Sequence, residues 1–177
     1  NTVKGAKDAF TENMRVNTGL VRRHMRSADL RFTQLVVGRQ TATNVSVAWV
    51  RGQTDPRLVE RTVQRLRELE IDSFATPAAV EEYLTGSRKT AFPLLQYTER
   101  TDRFVTALLA GRVGILVDGL PLAYLAPVNL GRLMDSPEDL SRDFVSASAI
   151  RVLRYGALLL TLLLPGLYVA VAAFHQE

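Results

Sequence analysis

The 177-residue chain contains no cysteine, only two histidines and one tryptophan. The absence of cysteine excludes disulfides, thiolate metal sites and cysteine nucleophiles, and it agrees with a reducing compartment. Two histidines, His24 and His175, are too few for a zinc site that has no thiolate to complete it. Because His24 lies in a basic segment with a helical pattern, we interpret it as a solvated side chain rather than a ligand.

Motifs for nucleotide or acyl chemistry are also missing. The chain has no G-x-x-x-x-G-K-[ST] phosphate loop, no G-x-G-x-x-G after a strand and no G-x-S-x-G elbow. The glycines between Gly111 and Gly119 have the wrong spacing to hold a phosphate. Carboxylates cluster at predicted helix starts, where the helix dipole favours them, or side by side on one helix. We therefore predict no enzyme, no cofactor, and no catalytic or metal-binding residue.

One long stretch without charge is present, the twenty residues from Tyr155 to Phe174. At roughly 1.5 Å per residue, a helix of this length spans about 30 Å, the thickness of the hydrocarbon core of a bilayer. The alternative is a buried helix of a soluble protein. An apolar helix of this length needs a larger protein around it than the preceding residues provide. We predict a transmembrane helix over 155–174, in which Pro165 is tolerated as a kink.

Charge beside this stretch predicts its orientation. Arg151 and Arg154 stand immediately before it, whereas His175, Gln176 and Glu177 after it bring no fixed positive charge. By the positive-inside rule the preceding domain faces the cytoplasm. No secretory signal occupies the start, and the chain does not begin with methionine, which suggests a fragment.

Hydrophobic periodicity before the apolar stretch predicts an α/β fold. We expect mixed sheets, parallel in part, with flanking helices in two small lobes over 1–135, then a connecting helix over 136–154. Within one strand, Val45, Val47 and Trp49 alternate with Ser46 and Ala48, which predicts one buried face. The predicted strands are 30–37, 45–50, 71–74, 113–117 and 122–126. The predicted helices are 8–25 with its N-cap at Thr11, one starting at Asp55-Pro56, 76–84 starting at Thr76-Pro77, 101–110 stopped by Gly111, and one starting at Ser136-Pro137.

Basic residues are densest in one segment, which contains Arg15, Arg22, Arg23, Arg26 and Arg31. A solvated helix face is the simplest interpretation. The favoured functional alternative is contact with anionic lipid headgroups, because the domain is tethered beside a membrane. Nucleic-acid binding is less favoured, since aromatic residues do not alternate with the cations as a stacking surface requires.

Short motifs spread along the chain give it a recognisable pattern, and together they are more specific than any one of them. They are Phe10-Thr11-Glu12-Asn13 with Arg15, Asn17 and Arg22-Arg23; Gly38-Arg39; Thr98-Glu99-Arg100 with Asp102; Gly111-Arg112-Val113 leading into Ile115-Leu116-Val117-Asp118-Gly119; Ser136-Pro137-Glu138-Asp139; and Arg151 with Leu153-Arg154-Tyr155, Leu164-Pro165, Tyr168 and Phe174-His175-Gln176-Glu177. With these motifs, the chain resembles the A subunit of the Ger-type nutrient receptors of spore germination.

That resemblance implies a location, partners and a role. It implies a cytoplasmic N-terminal domain and a first membrane span in the inner membrane of the spore. It also implies assembly with a transporter-like B subunit and a lipoprotein C subunit, with homo-oligomerisation and membrane lipids as further contacts and no nucleic acid. The domain would mediate subunit assembly and couple the nutrient signal to ion release. The alternative is a domain that binds the germinant directly, because the family's lobes resemble those of solute-binding proteins.

Polar residues in these motifs are our candidates for a subunit interface or a ligand cleft. They are Glu12, Asn13, Arg39, Glu99, Arg100, Asp102 and Asp118, with Arg151 and Arg154 as membrane-flanking residues. For Asp118 the simpler interpretation is a residue of a tight turn.

Overall fold

The structure is a computed structural model that describes residues 8–72, 80, 95–128, 131 and 144–174. The chain divides into two compact units, Asn1–Asn129 and Leu130–Glu177. The first unit contains α1 (Met14–His24), β1 (Leu30–Val37), β2 (Thr43–Val50), α2 (Pro56–Arg67), β3 (Gln96–Thr98), α3 (Thr101–Leu109), β4 (Val113–Val117) and β5 (Ala123–Ala126). The second contains α4 (Phe144–Phe174).

The five described strands form a single sheet in the order β1-β2-β4-β5-β3. All four neighbouring pairs are antiparallel. The predicted α/β class and the apolar C-terminal helix are confirmed. The expectation that the sheet is parallel in part is wrong for the described strands: two hairpins, β1–β2 and β4–β5, are joined by the longer-range pairs β2–β4 and β3–β5, and all four pairs are antiparallel. The division into two lobes and the boundaries at 135 and 154 stay predictions.

Helices cover the sheet on both faces, so the unit has two apolar cores. One core lies between the sheet and α2 and includes Val45, Val47 and Ile115. The other lies between the sheet and helices α1 and α3 and includes Ala48 and Leu116. The prediction of one buried face for β2 is therefore wrong, since a central strand with helices on both sides buries both of its faces.

Helix α1 starts later than its apolar spacing predicts. It begins at Met14, and its N-cap is Asn13 rather than Thr11. Phe10 occurs at a helical spacing from Met14, but it lies in an extended segment and contacts the core from there. The apolar spacing thus predicts correctly that Phe10 is buried, but it wrongly predicts that Phe10 is helical.

The start of α2 and the end of α3 agree with the sequence. Asp55 caps α2, its carboxylate accepts a hydrogen bond from the Arg57 N–H at 2.9 Å, and Pro56 is the first helical residue. After α3, Gly111 has φ 80°, a left-handed conformation that ends the helix without steric penalty.

Three expectations lie wholly or partly outside the described residues. These are the strand 71–74, of which Ile71 and Asp72 are described and are not in a strand, the helix starting at Thr76-Pro77, and the helix start at Ser136-Pro137. In the described part of the second unit, α4 runs without a break from Phe144 through the whole apolar stretch.

Candidate interface site

Three of the candidate residues meet at the start of α1. Asp118 accepts a hydrogen bond from the Met14 N–H at 3.0 Å, and the Asn13 side chain accepts from Arg15 N at 2.9 Å and Val16 N at 3.3 Å. The main-chain oxygen of Glu12 accepts from Gly119 N at 2.8 Å. The first N–H groups of a helix lack partners within the helix, so these two side chains supply acceptors for three of these N–H groups. Asp118 thus joins the β4–β5 turn to α1, beyond the turn role that its sequence context indicates.

A buried asparagine fixes the chain just before this helix. Asn17 is 0% exposed, and its side-chain oxygen accepts from Thr11 N at 2.8 Å and from the Thr11 hydroxyl at 3.2 Å. Its amide nitrogen donates to the Thr11 carbonyl at 2.6 Å. One side chain therefore bonds both main-chain groups of a residue six positions earlier. Asn17 carried part of the family resemblance, but the sequence did not suggest this role.

Three other candidates lie at the junction of β3 and α3. Arg100 forms a two-point ion pair with Asp102, Nε to Oδ1 at 3.0 Å and a terminal guanidinium nitrogen to Oδ2 at 2.6 Å. This bond to Arg100 holds the pKa of Asp102 below its ordinary value of 3.8, and it raises the pKa of Arg100. Glu99 contributes its main-chain oxygen, which accepts from Phe10 N at 2.8 Å.

The two groups are connected by the extended segment 8–13, which we call the N-terminal clasp. Ala9 forms an isolated antiparallel bridge with Arg100. Phe10 is buried with its ring edge against Phe104, the centroids 5.4 Å apart and the rings at 86°. The clasp therefore fastens α1, the start of α3 and the β4–β5 turn to one another.

Charge holds the outer end of the clasp. Asp8 bonds to Arg23 and, at 3.0 Å, to His24 Nε2. The hydrogen bond to His24, followed by the one to Arg23, lowers the pKa of Asp8. His24 therefore has an acidic partner in the structure, where the sequence indicated only solvent.

Arg39 lies apart from the other candidates. It sits in the β1–β2 turn, 3.7 Å from Asp72, and both side chains are mostly exposed, at 70% and 66%. Its main-chain N–H donates to Ile71 O at 2.8 Å. The structure thus brings six of the seven candidates into two groups joined by the clasp and leaves Arg39 outside them.

Arg112 is a structural residue whose role the sequence did not indicate. It is buried between β3 and β5, where it donates to Gln96 Oε1 at 2.7 Å and to Leu125 O at 3.1 Å. It follows Gly111 at the start of an apolar strand, and periodicity alone gives no signal that such an arginine turns inward.

These contacts bind parts of the chain to each other. The Asp118 and Asp102 carboxylates accept from main-chain N–H groups and a guanidinium, which fixes their orientation. Among the described residues, no group of three or more His, Asp or Glu side chains is placed to hold a metal ion. The arrangement is suited to presenting a surface of fixed shape.

The membrane-flanking residues Arg151 and Arg154 lie on α4, in the part that precedes the apolar stretch. A candidate membrane span covers Val145–Val171 with a mean hydropathy of 1.7, and none of it is buried within the chain. Large side chains such as Leu162 and Tyr168 are exposed. Apolar side chains on all sides of a helix this long are typical of a helix surrounded by lipid.

Comparison with known proteins places the chain in a family. The profile of the Bacillus/Clostridium GerA spore germination protein family matches residues 1–177. An uncharacterized membrane protein YfkQ of Bacillus subtilis is 35% identical over 99% of this chain, and spore germination protein B1 of the same organism is 34% identical over 97%. These alignments cover 34% and 36% of the two relatives, so the chain spans about a third of their length.

A solved structure agrees with this result. The crystal structure of the N-terminal domain of the A subunit of the Bacillus megaterium spore germinant receptor GerK3 is 34% identical, with a TM-score of 0.57. The match covers 70% of this chain and 98% of that one. The fold, the long apolar helix and the sequence agreement over the full length lead to one conclusion: the chain belongs to the GerA family of spore germination proteins, as an A-subunit homologue.

Proposed function

We propose that the chain is part of a nutrient-responsive germination receptor, in which the folded α/β unit mediates subunit assembly and passes the nutrient signal to the membrane part. The observation that carries this proposal is the continuity of α4. Its polar start, with Arg151 and Arg154, and its apolar remainder form one helix from Phe144 to Phe174. A continuous helix transmits a rotation or a shift, whereas a flexible linker absorbs it.

The partners follow from family membership. The complex would contain a transporter-like B subunit and a lipoprotein C subunit, with further copies of this chain as additional contacts.

Glu12 and Glu99 are our candidates for subunit contacts, because their carboxylates are exposed while their main chains hold the clasp. Substituting both by glutamine, with Glu60→Gln on α2 as the control, should reduce recovery of the B subunit on co-purification. Unchanged recovery would move the interface elsewhere.

The proposed location is the inner membrane of the spore, with the folded unit facing the cytoplasm. Support comes from the arginines that precede the apolar part of α4. Labelling of single introduced cysteines by a membrane-impermeant maleimide, before and after permeabilisation, checks this orientation. The chain has no native cysteine to interfere.

The proposed coupling requires that helix α4 be stiff, and this requirement can be tested. Inserting two glycines after Ser148 should separate nutrient binding from ion release and leave subunit assembly intact, because glycine weakens a helix by about 1 kcal/mol per residue relative to alanine. Nutrient-triggered ion release from spores and co-purification of the subunits are the two measurements.

The matched control inserts two alanines at the same point. Both insertions add the same length and the same rotation, but alanine keeps the helix stiff. Retention of coupling by the alanine variant alone supports a mechanical link. Normal germination in the glycine variant contradicts it.

A further inference from the structure

Helices α1 and α2 cover opposite faces of the sheet and differ in how their charge is balanced. The segment 13–26, which includes α1, contains four arginines and no acidic residue, whereas the segment 55–70, which includes α2, contains four arginines and four acidic residues. The two segments thus contain the same number of guanidinium groups, but only the α2 segment balances them with carboxylates of its own.

Two of the basic residues in and near α1, Arg23 and Arg31, differ from the others in their surroundings. Arg23 bonds to Asp8, which neutralises its charge. Arg31 shares a face of β1 with Leu35 and Val37, which belong to the core on the α2 side, so it lies on the opposite face of the sheet from α1.

The remaining three arginines, Arg15, Arg22 and Arg26, define a surface that we call the arginine flank. Arg15 and Arg22 are seven residues apart and lie on the same side of α1, with Gly19 between them. Arg26 follows shortly after the helix end, and all three side chains are exposed. Within the described ranges, no carboxylate lies within 4.0 Å of any of them.

Arg22 is held in place by an aromatic ring. Its guanidinium carbon lies 4.9 Å from the centroid of Phe32, so this cation has a fixed position at the edge of β1. The flank therefore presents three exposed positive charges, one of them packed on a half-buried ring, and carries no carboxylate of its own.

We propose that the arginine flank binds anionic lipid headgroups. Charge complementarity gives the chemistry, and the apolar helix α4 in the same chain supplies the membrane. A cation close to an anionic leaflet favours the bound state about fivefold, so three together give about a hundredfold. Nucleic acid is the less suitable partner, because the Phe32 ring is half-buried beneath Arg22, so it is not an exposed surface on which a base could stack. The inference depends on α4 spanning a bilayer and is independent of signal coupling.

The test uses the full chain in nanodiscs and one introduced cysteine. Ala28→Cys places a fluorophore on an exposed turn next to Arg26, and the sequence contains no other cysteine. Quenching by lipids with a nitroxide on the headgroup reports how close the flank lies to the surface. We expect quenching several-fold stronger in discs containing about 30% phosphatidylglycerol than in pure phosphatidylcholine discs, with loss of the difference near 1 M salt, where the screening length falls to about 3 Å.

Two sets of variants identify the surface responsible. The flank variant R15Q/R22Q/R26Q should abolish the lipid-dependent difference, while R57Q/R61Q/R67Q, which removes the same charge from α2, should retain it. Lysines at the three flank positions should restore the response, because they restore the charge, and Trp49 fluorescence should confirm the fold of each variant. Equal quenching in the two lipids overturns the proposal, as does equal loss in the α2 variant. The proposal is also overturned if single-stranded DNA, added to the chain in neutral discs, changes the emission of the fluorophore more than anionic lipid does.

Discussion

The two faces of the sheet are held in different ways. On the α2 side, mostly aliphatic side chains make the core, and the buried hydroxyl of Thr62 bonds within its own helix, to Leu58 O at 2.8 Å. On the α1 side, polar side chains bond main-chain groups outside their own helix or strand: Asn17 bonds Thr11 in the clasp, and Asp118 bonds Met14, which is 104 residues away in sequence. One face thus depends on apolar packing, and the other depends in addition on polar groups that fasten the clasp.

The largest effect should come from a glycine where α3 approaches the sheet. A Cβ added at Gly114 would lie 2.2 Å from Phe104 Cζ, and that ring is fully buried. Gly114→Ala should therefore destabilise the unit by about 3 kcal/mol. Urea unfolding in nanodiscs, followed by the fluorescence of Trp49, measures the change.

A second substitution distinguishes overpacking from other causes. Phe104→Leu in the Gly114→Ala background should recover part of the loss, because the smaller side chain vacates the space that the new methyl group needs. Purely additive losses would mean that the ring is not the obstacle and that α3 packs elsewhere.

The sequence predicts some elements of the fold better than others, depending on whether the residues that determine them are local. The β1–β2 hairpin, the Asp55-Pro56 start, the Gly111 stop and the β4–β5 hairpin follow from patterns local to each element. The start of α1 does not, because Asn13, Asp118 and Asn17 together determine it, and Asp118 is far away in sequence.

The candidate residues illustrate the same limit. Motifs drew attention to Glu12, Asn13, Glu99 and Asp118, and the structure places all four along the clasp or against it. Glu12 and Glu99 bond through their own main-chain oxygens, whereas the side chains of Asn13 and Asp118 accept from main-chain N–H groups. Residue types in a sequence do not reveal which main-chain groups lie within reach, so the sequence indicated the place but not its role in joining the elements.

Each face of the sheet has a buried polar side chain whose removal measures how much that face depends on polar bonds. Asn17→Leu should destabilise the unit by about 2–3 kcal/mol, because Thr11 loses partners for its main-chain N–H and carbonyl. Thr62→Val should change stability by about 0.5 kcal/mol or less, since it removes only a local bond to a carbonyl already in the helix. Equal changes in the urea midpoints would show that the clasp contributes no more than an ordinary helix hydroxyl.

Acid should weaken the α1 side through Asp102. The bond to Arg100 lowers the pKa of this carboxyl in the folded state, so its contribution is present above its ordinary value of 3.8 and is lost as the pH falls through the lowered pKa. We expect about 1 kcal/mol, since the side chains of Arg100 and Asp102 are 23% and 32% exposed. The stability difference between the native chain and Asp102→Asn should shrink between pH 6 and pH 3. A constant difference would contradict the ion-pair explanation.

The smallest effect should be a gain, on helix α1. Gly19 lies within α1 with nothing within 4 Å of an added Cβ, so Gly19→Ala meets no obstacle and restricts the unfolded chain. It should stabilise the unit by about 0.5–1 kcal/mol. The control on α2 is Gln64→Ala, which should gain nothing, because glutamine is already a good helix former and its amide bonds to Glu68 at 2.6 Å. Because alanine adds no charge beside Arg15 and Arg22, the gain in the urea midpoint should leave the lipid response unchanged, which separates the stability of α1 from the charge on its surface.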